Sequence, residues 1–112
     1  MPTPSAQLAA FAAHLRFEHL PQAVVRKTED LLVDWFGSAV AGHGSRPVAS
    51  IARFAQVMGA GQGAAEAIVS RTSNSPYLAA MANAAASHVA EQDDVHNGSV
   101  FHPATEIGRA HV

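Results

Sequence analysis

The sequence predicts an all-α fold. Three observations carry that prediction: apolar residues recur at helical spacing along most of the chain, proline and glycine stand at the joints between those stretches, and the stretch from Pro76 is rich in alanine. A first helix runs from Ser5, its cap, to about Leu15, with Leu8, Phe11, Ala12 and Leu15 on one face and packing as its only expected role. Pro21 suits the first position of a second helix, which runs to about Ala41. Val24, Val25, Thr28, Leu31, Leu32, Trp35, Phe36 and Ala39 give it a wide apolar face, with Arg26, Lys27, Glu29, Asp30 and Asp34 mostly opposite. Gly42-His43-Gly44-Ser45 breaks it, and Gly42 suits the left-handed position just past its end.

A third helix from about Pro47 to Met58 is expected to turn Val48, Ile51, Phe54, Ala55 and Met58 inward. The run Gly59-Ala60-Gly61-Gln62-Gly63 reads as a flexible linker, since it follows a helix and lacks the lysine and hydroxyl pair of a phosphate-binding loop. Ala65 to Val69 suits a short extended piece, and Arg71 to Ser75 a polar turn. The fourth helix is expected from Pro76 to about Gln92. Its many alanines let neighbours approach closely, which suits a buried central helix. Asn83 and His88 then need partners, because burying a polar group without a hydrogen bond costs a few kcal/mol.

Composition narrows the function. With 112 residues, 48% hydrophobic and 14% charged, the chain is one globular domain or part of one. A net charge of -2 and seven Lys and Arg scattered singly offer no basic stripe to a phosphate backbone, so nucleic acid is not an expected partner. Without cysteine there is neither a disulfide scaffold nor a thiolate zinc site. The opening Met1-Pro2-Thr3-Pro4-Ser5 lacks the features of a signal peptide, and no apolar run is long enough to span a bilayer. A cytoplasmic protein without membrane partners is the expectation.

Chemistry concentrates between Glu91 and Pro103, where Glu91, Asp93, Asp94, His96 and His102 crowd the end of the fourth helix and the following loop. On a continuous helix, Asn83, His88 and Glu91 project to one side. Asp93 and Asp94 would fall at the helix end, where the macrodipole disfavours negative charge and partners are required. Three readings are open on these residues alone. They ligate a metal, although the spacing matches neither His-Glu-x-x-His nor the paired Glu-x-x-His of di-iron bundles. They are general acids and bases for proton abstraction or elimination. Or they are a solvated helix end with surface histidines.

Asn83, His88, Asp93-Asp94, His96 and His102-Pro103, in that order, resemble the signature of the MmgE/PrpD family of 2-methylcitrate dehydratases and cis-aconitate decarboxylases. The stretches Pro21-Gln22-Ala23-Val24-Val25, Leu31 to Gly37 and Ala41-Gly42 resemble that family's opening helix, and the likeness extends from about Ser5 to Thr105. The resemblance implies the N-terminal part of a helical domain, truncated before its remaining helices and an α+β lid domain, in a lyase that forms a homodimer at full length. It also implies a cofactor-independent reaction on a small di- or tricarboxylate, with no metal. Of the positions that line the family's active site, this chain carries Glu91, Val95 and His102. Glu91 is longer than the aspartate of the decarboxylase branch, and Val95 lacks the hydroxyl of its threonine. The catalytic set expected from the resemblance is His102, Glu91, Asp93 and Asp94, with His96, His88 and Asn83 binding substrate. Arg71 is a candidate cation for an anionic substrate, set against the plainer description of an exposed loop arginine.

Residues 1–105 are thus expected to form the partial helical domain. The family resembled continues from His-Pro-Ala-Thr with an apolar helix, whereas Glu106-Ile107-Gly108-Arg109-Ala110-His111-Val112 breaks that pattern and reads as the translation of a common sequencing adapter, so 106–112 is expected to be a non-native tail. The alternative from another class is a non-catalytic helical interaction module whose acidic loop is solvated surface.

Overall fold

The computed structural model describes residues 2–59 and 63–104. Helix α1 spans Pro4–His14, a short 3-10 turn Phe17–His19, α2 Gln22–Ala41 and α3 Arg46–Gly59. A two-stranded antiparallel hairpin, β1 Ala65–Ala67 and β2 Thr72–Asn74, precedes α4, Pro76–His88. The middle of the expected linker, 60–62, and the expected tail, 106–112, lie outside the described residues.

Helix α4 is the centre of the fold. Ser75 caps it through its side chain and Pro76 occupies its first turn, so the sequence starts it where the expectation put it. Ala79, Ala82, Ala86 and Ser87 are buried, and α2, α3 and both strands pack on it. Close approach is the reason for its small side chains. Gly42, at the end of α2, shows this directly: a Cβ there would run into the Ala86 carbonyl oxygen and stand 2.9 Å from Val89 Cγ1. The expected left-handed role of Gly42 does not hold, since its φ is -71° and Gly44 takes the positive φ of 78°.

The hairpin corrects the expectation of a purely helical chain. Ala65, Glu66 and Ala67 alternate buried, exposed, buried, which presses both alanines onto the helical layer. Residues 72–74, expected as turn, form the second strand, in register Ala65 with Asn74 and Ala67 with Thr72. Such short strands give little sequence signal, and α4 supplies what stabilises them. Asn83 Oδ1 accepts from the Ile68 N–H at 2.8 Å, and Asn83 Nδ2 donates to the Glu66 carbonyl at 3.0 Å. Asn83 is 1% exposed, so its two ends satisfy the need for partners that its burial creates.

Two further expectations fail on burial. Every residue of α1 is exposed, Leu8 and Phe11 among them, so the expected packing helix covers no core. On α3, Val48 and Ala55 are buried, but Phe54 and Met58 face outward. Periodicity locates an apolar stripe but cannot say whether another element meets its whole width. Among the described residues Ala39, Val48 and Ala86 form a buried apolar cluster, with Val69 and Val89 packed against it.

Candidate active site

The fourth helix stops at His88, short of the expected Gln92, and the early stop builds the site. Val89 keeps helical dihedrals, the Glu91 N–H closes back on the His88 carbonyl at 3.0 Å, and Glu91 turns the chain with a φ of 49°. Glu91 therefore does not share a helical face with Asn83 and His88, and Asp93 and Asp94 do not sit on the helix end. They lie in a loop that folds back along it.

The fold-back brings His88, Asp93 and His102 together. Asp93 Oδ2 lies 3.1 Å from His88 Nδ1 in a hydrogen bond. His102 Nδ1 stands 3.1 Å from the same oxygen, off the alignment of a hydrogen bond. The Asp93 side chain is 1% exposed, against 58% for His88 and 36% for His102, so a buried carboxylate backs two accessible imidazoles. The rings meet edge to face, with centroids 4.9 Å apart and planes at 75°. An ionised carboxylate only accepts hydrogen bonds, which places the proton of a neutral His88 ring on Nδ1 and leaves Nε2 with the lone pair.

Asp94 does a different job. Its Oδ1 accepts from the Ala104 N–H at 2.9 Å, pinning the far end of the loop beside the near end. Between these anchors the chain forms a small hairpin in which His96 bridges Phe101, the His96 N–H bonding the Phe101 carbonyl at 2.8 Å. Ser99 and Val100 donate their N–H groups back to the His96 carbonyl, and Val100 takes a φ of 52°. The His96 ring is exposed, bonds Ser99 Oγ through Nδ1 at 2.7 Å and lies against Phe101.

Of the residues singled out from the sequence, the structure therefore unites His88, Asp93 and His102. It holds Asp94 as their loop anchor, and it leaves Glu91, Val95 and His96 exposed on the same loop. Asn83 stands apart, both ends of its amide engaged by the hairpin backbone. Arg71 ends the hairpin turn with a φ of 55° and pairs with Glu66 at 2.7 Å on the surface. Ser99 was not singled out, although a hydroxyl three residues after a loop histidine is a signal for such a bond.

One oxygen of Asp93 and one nitrogen from each histidine lie within 4.8 Å of one another, so the three side chains could also converge on a metal ion. The same contacts suit acid-base work, in which the carboxylate orients an imidazole that exchanges protons with a substrate. No helix among the described residues is long and apolar enough to cross a membrane.

Comparison with known proteins gives one finding. A family model described as the MmgE/PrpD N-terminal domain matches residues 6–109, which reaches into the segment expected to be a non-native tail. No curated protein and no solved structure gives a significant match.

Proposed function

Because the chain belongs to the MmgE/PrpD family, matched over residues 6–109 by its N-terminal domain, we propose that it contributes to a lyase eliminating water from a small hydroxy tricarboxylate of the 2-methylcitrate type. The observation that carries this reading is the pair of imidazoles on one buried carboxylate oxygen. Elimination next to a carboxylate needs a base to take the α-proton and an acid to protonate the departing hydroxyl. His102 is the group proposed for that proton transfer. It lies in a loop fixed by Pro103 and by the Asp94 contact to Ala104, and its Nδ1 faces Asp93. Asp93 would set the orientation of both rings. His88, at the other side of the same oxygen, is proposed to meet a substrate carboxylate or hydroxyl, with Glu91 and His96 on the surrounding loop.

The chemistry requires neither redox change nor an electron sink, so the reading needs no cofactor. A small anionic substrate in a cytoplasmic homodimer completes the proposal, with further cationic groups supplied by the rest of the family's fold. Decarboxylation of cis-aconitate is the alternative within the family, and Val95 and Glu91 depart from the pattern of that branch.

The decisive experiment uses a full-length enzyme containing this domain. His102→Ala should lower turnover of 2-methylcitrate by roughly two orders of magnitude or more, the range of a positioned acid or base. His14→Ala is the control, since His14 is exposed on α1 and bonds only the Ala10 carbonyl of its own helix. Equal, near-normal rates for the two variants on both substrates would remove His102 from the mechanism.

A further inference from the structure

The tip of the loop hairpin carries Asn97-Gly98, between His96 and Ser99. Asn97 is exposed and its carboxamide makes no hydrogen bond among the described residues. The turn is closed by the Ser99 and Val100 N–H groups, both of which bond the His96 carbonyl. The Gly98 N–H makes no such bond, so the one backbone nitrogen next to a free carboxamide is itself unengaged. Glycine leaves that nitrogen without a neighbouring side chain, and it samples conformations closed to other residues. The imidazole of His96 lies alongside: a Cβ built on Gly98 would be 3.1 Å from His96 Cε1.

We propose that Asn97 is a modification site, converted by spontaneous deamidation through attack of the Gly98 backbone nitrogen on the Asn97 side chain. The Gly98 N–H gives its proton to a base from solution, and the nitrogen forms a bond to Asn97 Cγ. The Cγ–N bond of the carboxamide breaks and its NH2 takes a proton back from the protonated base and leaves as ammonia, giving a cyclic imide. Water opens the imide at either carbonyl to aspartate or isoaspartate. Both products add a negative charge to the loop that carries His96 and His102. The isoaspartate also adds a methylene to the main chain between His96 and Phe101, which the register of their bridge does not accommodate. The loop would thereby lose its anchor a few residues from the Asp93 contact to His102.

The chain provides its own controls. Its other two asparagines, Asn74 and Asn83, are 0% and 1% exposed and precede Ser75 and Ala84. The test is to incubate a full-length enzyme containing this domain at mildly alkaline pH and follow Asn74, Asn83 and Asn97 by peptide mass spectrometry, beside a synthetic peptide covering 94–102. The expected result is conversion at Asn97 at a rate comparable to the peptide's, with Asn74 and Asn83 unchanged, and a several-fold slower reaction in Gly98→Ala. An Asn97 that stays intact while the peptide converts would show that the fold protects it and would overturn the proposal. So would an undiminished rate in Gly98→Ala, whose extra Cβ hinders the attacking nitrogen.

Discussion

The buried carboxylate of Asp93 holds one oxygen 3.1 Å from Nδ1 of His102, across the whole hairpin that separates the two residues. Loop closure makes this contact possible. Asp94, the next residue, bonds the Ala104 N–H, so the chain is fastened at both ends of the hairpin within one short stretch. The second contact of the same oxygen, to His88, ties that loop to the end of α4.

Asp93→Asn should keep the shape of the side chain and lose the purely accepting carboxylate. In a full-length enzyme, turnover is expected to fall by at least about tenfold, the loss of roughly 1.4 kcal/mol of transition-state stabilisation. KM should change less, because the residue acts through the rings. Nitrogen chemical shifts of His88 should show the neutral ring leaving its Nδ1–H form. An unchanged tautomer with unchanged turnover would show that Asp93 only fills space.

Metal removal should leave the proposed reaction intact, although His88, Asp93 and His102 are close enough to share an ion. Exhaustive chelation of the full-length enzyme is the measurement. Loss of activity restored by one specific divalent ion would replace the acid-base reading with a metal-assisted one.

Asn83→Ala should damage stability. It leaves the part-buried Ile68 N–H and the Glu66 carbonyl without their protein partner, at about 1–3 kcal/mol where water cannot take its place. Hydrogen exchange should accelerate first at residues 65–74. If Asn83→Ala instead left hairpin protection unchanged and raised KM in the full-length enzyme, Asn83 would be a substrate ligand, the role its sequence position suggested.

The 112-residue chain alone is expected to be marginally stable. Phe11, Phe36, Phe54 and Met58 are each at least half exposed, and so much uncovered apolar surface on a small domain favours association over cooperative folding. Dye binding to exposed apolar surface should be strong and the thermal transition broad. A sharp, reversible transition in a monomer would contradict this expectation.

The sequence by itself determined where the helices lie and which family the chain belongs to. Helical spacing, Pro21, Pro76 and the glycine joints placed α2, α3 and the start of α4 within a residue or so, because caps and breakers act locally. The order of Asn83, His88, Asp93-Asp94 and His102-Pro103 pointed to the family that the match over residues 6–109 identifies. Only the tertiary structure decided what those residues do to one another. Helix α4 ends at His88 because the loop's closing bonds, Asp93 to His88 and Asp94 to Ala104, draw the chain back, and bonds between residues brought together by folding leave no periodic trace. For the same reason the hairpin was read as an extended piece and a turn: its three-residue strands pair with each other while an asparagine of a different element fastens the Glu66 carbonyl and the Ile68 N–H beside them. Which apolar faces are covered was likewise undecided by pattern, since burial belongs to a pair of surfaces and one sequence stripe describes only one of them.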